Sequence, residues 1–493
     1  MARRVMTDAR SGLTAWTPLP PERNGIADYA HVLLGGLAAH YDCRAACEDW
    51  LASAPAGVAV VDAALAHRDA GPRVLHQIGN NPGHGFVLHA LRRVPGVVTL
   101  HDPGLLYLYE TAGEDAGSIR AGMAAALPGL AQVYGRHHRE QGLQTVANHL
   151  LFDLAGETLA RSRAVIVHSR YALNRLRLVH GPAATAHVAV IPHFLPPGRM
   201  PERAAARARL GIGADEFLVL TAGFATRAKR FDWLIQALDM AMAAGAEARW
   251  IHAGAERAEE FALSRAIAAR PGLAGRARVT GYLDEARLDD HVAAADVLVN
   301  LRFPSSGESS GSLARAFAAG TCCIVSDTAA YAEIPRDTVV QVPLTDSVPL
   351  LARTLHALAH DPARARAIGE RGRRYALAEM ALPGVAARYR AVIEDSLDRP
   401  VAAPAPAGPP PLLVLEAGPR LQAGTVARAL AGRQGPCRLL LALPDLAALA
   451  RLTLDRPRLL AEVLPLGARL RATRVQQAPR PGLLLDLELG WPA

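Results

Sequence analysis

Aromatic side chains are scarce: Phe, Tyr and Trp make up 5% of the 493 residues. That is too few for the stacked platforms on which single-stranded nucleic acid is bound. Basic residues outnumber acidic ones by 54 to 46, yet no Lys/Arg block concentrates the excess, which argues against a nucleic-acid partner. The mild surplus suits an anionic small substrate or peripheral contact with an acidic membrane surface. Cysteine is rare and odd in number. Cys43 and Cys47 have helical spacing, but neither they nor Cys322, Cys323 and Cys437 find a second Cys/His pair at zinc spacing. All five read as buried small hydrophobes of a reducing compartment. The N-terminus has no apolar h-region and no run of 18 apolar residues follows. A cytoplasmic protein is expected, with any membrane association confined to the inner face.

Several chemistry-bearing motifs are missing too. No GxGxxG joins a strand to a helix, since Gly211–Gly213 precedes a strand, and neither GxxxxGK[ST] nor HExxH occurs. Dinucleotide, P-loop and zincin readings therefore lack their residues.

What is present is a long chain, 51% hydrophobic, of a length that calls for two or three domains. Short β-rich apolar runs occur at 13–18, 58–63, 73–78, 96–101, 164–169 and 187–192. They do not alternate, as expected of strands buried on both faces. Helical stretches such as Tyr29–His40 and Tyr171–Val179 separate them, which argues a parallel sheet wrapped by helices. After the Pro-rich HFLPPGRMPE (193–202) the pattern restarts at 217–223, 248–254, 276–282, 296–301, 322–327 and 338–342. The expectation is two Rossmann-like, doubly wound α/β domains, 1–197 and 198–399, facing across a cleft. The Ala/Pro run 400–411 reads as a semi-stiff linker, and 412–493 as a small appendage, either a truncated α/β unit or a degenerate one.

The most informative segment is RFPSSGESSGSLARAFAAG (302–320), which follows a strand and opens a helix near Ser310. Backbone N–H groups of Ser309, Ser310 and Gly311 at such a helix N-terminus suit a diphosphate. Glu308 stands where a carboxylate accepts sugar hydroxyls, and Arg315 lies one turn in, placed to clamp a phosphate or ribose. An ordinary capped helix is the bland alternative. Cations at Arg227, Lys229 and Arg230 follow the run at 217–223, where they would stabilise a departing diphosphate. In the first half, Gly25 lies between a strand and a helix, and His101–Asp102 ends a buried strand, where α/β sheets bind ligands. His193 falls at the expected hinge, and His137–His138 reads as a surface helix feature.

These residues resemble family-4 retaining glycosyltransferases of the GT-B fold (glycosyl transferases group 1), over roughly residues 13–398. The resemblance rests on nine segments in order: GIADY, QIGNNPGH (77–84), VVTLHD (97–102), VIVHSRYA (165–172), VIPHF (190–194), GFATRAKRFDWLIQA (223–237), VTGYLDEARL (279–288), 293–320 and CIVSDTAAYAEIP (323–335). It implies a nucleotide-diphosphate sugar as co-substrate, held mainly by the second domain, and a glycan or lipid-linked acceptor on the first. Gly25 would then lie near the donor phosphates and His101 near the transferred sugar. Lys229, helped by Arg227, would hold the diphosphate with the Ser309, Ser310 and Gly311 amides, and Gly281 and Tyr282 would flank the base. No catalytic metal or cofactor is implied, and transfer would retain anomeric configuration by front-face attack.

Two departures stand out. The usual glutamate pair is broken, since the position eight after Glu308 is Ala316, and alignment on Gly320 puts Arg315 in place of the second glutamate. The arginine that commonly precedes the lysine by five places is Phe224. A non-catalytic module that binds a sugar nucleotide or glycan is the competing function. A sugar-nucleotide epimerase is a third, without a dedicated acid/base set.

Overall fold

The computed structural model describes residues 10–131 except 23, 50, 113, 115 and 128, then 151–401, 412–416, 424–431, 437–454, 469–477 and 483–490. His137 and His138 lie outside them. The chain does not divide at the linear boundaries read from the sequence. Residues 1–108 and 145–401 form one compact unit, and 109–144 with 402–493 form a second.

The first unit contains both expected sheets. Strands β1 (Gly12–Trp16), β2 (Asp42–Cys47), β3 (Val58–Asp62), β4 (Val74–Ile78), β5 (Val97–Leu100), β6 (Ala164–Val167) and β7 (Val188–Val190) run in the order β3-β2-β1-β4-β5-β6-β7. Strands β8 (Leu218–Ala222), β9 (Arg249–Ala253), β10 (Ala277–Val279), β11 (Val297–Asn300), β12 (Cys322–Ser326) and β13 (Val340–Val342) run β10-β9-β8-β11-β12-β13. Every pairing in both is parallel. The strand order reverses between β1 and β4 and between β8 and β11, which opens a crevice at the carboxyl ends of those strands.

Two sequence readings change here. Cys43 and Cys47 lie on strand β2, not on a helix, and all five cysteines are buried free thiols. The run at 58–63 is an edge strand with much of its length exposed, although its Val-rich composition suggested burial on both faces.

Helix Gly25–Leu37 buries Ala27, Ala30, Leu33, Leu34 and Leu37, a helical stripe, against β1 and β2. The last helix of the unit, Leu382–Asp395, returns to the first sheet and not the second. Its Val385, Ala386, Tyr389 and Ile393 are buried in the same cluster as Leu13, Leu34 and Ile166. Arg73 makes a two-pronged ion pair with Glu394 (2.9 and 2.8 Å), and Tyr41 Oη donates to the same carboxylate at 2.7 Å.

In the second unit β14 (Leu412–Glu416), β15 (Cys437–Leu443), β16 (Arg469–Gln477) and β17 (Leu483–Gly490) form a mixed sheet in the order β14-β15-β17-β16. Val426, Leu430, Leu439, Leu441 and Leu487 make its core. Helix Ala116–Ala126 lies against β16.

Candidate active site

A cleft of about 570 Å³ lies between the two sheets. From the first sheet it is lined by the loop after β1 (Glu22, Asn24, Gly25), the loop after β4 (Asn81, Gly83) and His101–Asp102 after β5. From the second it is lined by Phe224 after β8, Arg257 after β9, and Glu308, Ser309 and Gly311 after β11. Ser310 lines an adjoining hollow of about 470 Å³ with Glu308, Ser309, His168, His193 and Glu333. A larger hollow, about 810 Å³ along residues 195–203, gathers none of the candidate site residues.

Gly25 opens its helix under the Asn24 cap, whose Oδ1 accepts from the Ile26 amide at 2.7 Å and the Ala27 amide at 3.3 Å. Asn24 Nδ2 donates to Glu22 Oε1 at 3.0 Å. The space where a Gly25 side chain would stand is open. Opposite, Ser310 caps helix Gly311–Ala319 by accepting from the Leu313 amide at 3.3 Å. The Gly311 and Ser312 amides at the helix start have no intrahelical acceptor and mark its positive end.

His101 lines the cleft but its ring nitrogens are engaged from behind. Nε2 meets Gln77 Oε1 at 2.7 Å, and Nδ1 meets His168 Nε2 at 3.3 Å. His168 Nδ1 must donate to the Ile191 carbonyl at 2.9 Å. Tyr29 packs edge-on against both His101 (4.7 Å) and His193 (5.0 Å), and its hydroxyl meets Tyr389 Oη at 2.9 Å. Burial, then the neighbouring His168, His84 and His193, hold the His101 pKa well below its ordinary value. Burial likewise brings His168 and His193 down to about 4. Asp102 behaves oppositely. Burial lifts its carboxyl to about 6, Glu308 adds to the rise, and the Asn80 amide, donating to Oδ2 at 2.9 Å, opposes it.

The second-sheet residues are arranged differently from the sequence reading. Glu308 folds back on its own loop: Oε2 accepts from Ser305 Oγ (3.0 Å), Ser306 N (2.9 Å), Ser306 Oγ (3.2 Å) and Gly307 N (3.1 Å). Its other oxygen, Oε1, lies 3.6 Å from Arg302 Nε. Lys229 Nζ donates to the Ala222 carbonyl at 2.6 Å, at the carboxyl end of β8. Burial, with Arg302 and Arg257 nearby, pushes its ammonium well below the ordinary lysine range. A cation so placed binds an anion that restores its charge.

Arg227 does not join Lys229. It is exposed, and its Nε donates to the Glu260 carbonyl at 2.7 Å. Arg315 is no free clamp either, because Asp289 (2.6 Å) and Glu285 hold its guanidinium. Gly281, at φ 79°, and Tyr282, 57% exposed, follow edge strand β10 and line neither hollow.

Sequence reasoning passed over several residues that the fold gathers. Within VIVHSRYA nothing in the sequence marks His168, and His193 stands out only by its place at the hinge. Gln77 opens the segment QIGNNPGH without a role of its own, and neither Asn24 nor Arg257 stands out in the sequence. Glu333 reaches across to accept from the Arg170 amide (2.9 Å) and the Tyr171 amide at the start of helix Arg170–Ala184.

A family model described as "Glycosyl transferases group 1" matches residues 216–361, the second sheet and its helices. No curated protein matches the chain in sequence. Among solved structures, a sucrose-phosphate synthase from Thermosynechococcus elongatus is similar at 21% identity and a TM-score of 0.56, over 78% of this chain and 99% of that one. Anabaena HepE, in complex with UDP and glucose, is similar at 14% identity and 0.55, over 78% and 100%. WaaG, a glycosyltransferase involved in lipopolysaccharide biosynthesis, is similar at 14% and 0.53, over 78% and 99%. At these identities the likeness establishes the fold: two Rossmann-like domains facing across a cleft in the GT-B arrangement. Among the described residues no helix is long and apolar enough to cross a membrane.

Proposed function

We propose that this chain transfers a sugar from a nucleotide-diphosphate sugar to a glycan or lipid-linked acceptor, with retention of configuration and without a catalytic metal. One observation carries the reading. Lys229 does not line the cleft itself, but its Nζ, anchored on the Ala222 carbonyl, and Ser312 Oγ in the first turn of helix Gly311–Ala319 border the same space beside Gly223, 2.9 and 3.8 Å from where a side chain there would begin, so an anionic donor reaching that space finds both cation and dipole. The family match over 216–361 and the UDP and glucose held by HepE support the same donor class.

In the proposed reaction the bond between the anomeric carbon and the diphosphate oxygen breaks. The acceptor oxygen bonds to the same face of that carbon, and the acceptor proton passes to the departing diphosphate. Asp102, half-buried at the mouth of the first sheet, stands where a carboxylate accepts the hydroxyl of an incoming acceptor. Lys229 and the Ser309, Ser310 and Gly311 amides would receive the diphosphate, and the surface of His101 would bound the sugar.

A protein that binds the donor without turning it over is the second reading. It is favoured by the engagement of Glu308 within its own loop and of Arg315 with Asp289 and Glu285. Thermal melting of the full chain with uridine-, guanosine-, adenosine- and thymidine-diphosphate sugars tests both. A rise with one base and release of its diphosphate on adding acceptor supports transfer; a rise without release supports binding alone. Lys229→Ala should abolish both, and unchanged turnover in that variant would remove Lys229 from the site.

A further inference from the structure

We propose that Arg257 supplies the guanidinium that meets the donor diphosphate, and that Phe224 holds it over the cleft. The inference rests on the donor class proposed above and assigns a residue to it. The Arg257 Cζ lies 4.4 Å from the centroid of the Phe224 ring, and both residues line the cleft with Ser309 and Gly311.

Arg302 and Arg257 act on Lys229 and Arg227 is its neighbour in sequence, and geometry separates the three. Arg227 is turned outward to the Glu260 carbonyl. Arg302 donates to its own neighbour, the Leu301 carbonyl, at 3.3 Å and lies beside the Glu308 carboxylate. Arg257 alone of the three lines the cleft, and its charge is one of those that depress the Lys229 pKa.

A guanidinium stacked on a ring uses its face, and its edge N–H groups stay free to grip phosphate oxygens as a fork. Among the described residues the one carboxylate paired with Arg257 is Glu260 at 3.4 Å, a long contact at a half-exposed position that an incoming diphosphate can displace.

The backbone fixes this placement. The Ala225 amide donates to the Ala255 carbonyl at 2.9 Å, and Ala225 bridges Glu256 in parallel, so the loops after β8 and β9 are clipped together. Arg257 itself bridges Phe261, whose amide donates back to the Arg257 carbonyl at 2.8 Å. Phe224 and Arg257 therefore arrive side by side from different strands. The phenyl ring standing where an arginine was expected in the sequence orients an arginine 33 positions further along.

The experiment is calorimetric titration of the full chain with UDP, GDP, ADP and dTDP. For whichever nucleotide binds, Arg257→Ala should raise Kd about tenfold to a hundredfold, the worth of one or two lost charge-assisted hydrogen bonds. Phe224→Leu should raise it by less, and Arg227→Ala should weaken binding less than Arg257→Ala does. Adding Phe224→Arg to Arg257→Ala should recover most of the affinity, which an unfolded variant would not do. Equal affinity in wild type and Arg257→Ala, with the wild type binding, overturns the assignment and leaves the proposed function standing. Absence of binding by the wild type to all four nucleotides overturns the function and the assignment together.

Discussion

At the scale of single residues the site turns on which atoms already have partners. The His168 Nδ1 must carry a proton, because it faces the Ile191 carbonyl at 2.9 Å, so its neutral ring presents a bare Nε2 to His101. Burial keeps both rings neutral at pH 7. The 3.3 Å contact between them then needs the His101 proton on Nδ1, which leaves His101 Nε2 bare toward Gln77. Amide oxygen and nitrogen are interchangeable assignments, so the Gln77 side chain must turn its nitrogen to His101. Nitrogen-15 NMR of the imidazoles should therefore find both histidines as Nδ1–H tautomers at pH 7, and Gln77→Glu should shift His101 toward the imidazolium. A neutral His101 protonated at Nε2 in the wild type would contradict the network. None of this was legible in VVTLHD and VIVHSRYA, since residues 67 apart in sequence announce no pairing. His101 itself was found, because a polar residue ending a buried strand stands out by position.

At the scale of elements the sequence was far more informative. All twelve apolar runs singled out in the first 400 residues are strands, because a doubly wound sheet demands continuous apolar segments. Strand β2 was missed, since DCRAAC alternates charge with small residues. The Arg227 assignment failed for a related reason: adjacency to Lys229 in sequence says nothing about direction on a tight turn, where Arg230 already sits at φ 51°. Arg257 was invisible because its site is made by two loops meeting. Gly254 permits that meeting. A Cβ there would stand 2.2 Å from the Gly223 carbonyl oxygen and 2.6 Å from its carbon, backbone that cannot step aside. Gly254→Ala should cost about 1–3 kcal/mol, as overpacked sites do, and should weaken nucleotide binding by separating Phe224 from Arg257. A variant with wild-type melting temperature and affinity would show that the loops move independently.

At the scale of the whole molecule the two sheets carry very different loads of buried histidines. His76, His84, His168 and His193 are held near pKa 4 and His101 well below its ordinary value, all around the first sheet. In the second sheet His252, brought down to about 3 by burial and Lys229, is the one histidine shifted as far, with His291 lowered less. A histidine with a depressed folded-state pKa binds its proton first in the unfolded chain. The stability it contributes is complete above about pH 6.5 and is lost as pH falls toward 4. One such group shifted from 6.5 to 4 is worth about 3 kcal/mol, so two or three match the ordinary stability of a domain, about 5–15 kcal/mol. Asp102 acts in the other direction. Raised to about 6, it favours the folded state as pH falls from 6 toward 3.8, and it offsets about one histidine. Helix Leu382–Asp395 shares the fate of the first sheet, since Tyr389 and Ile393 are buried in that core. Hydrogen exchange between pH 7 and 4 should thus show β1, β4–β7 and helix Leu382–Asp395 losing protection together, before β8–β13. Loss of protection in both sheets at the same pH would mean that the histidine cluster under the cleft does not set the acid limit of the fold.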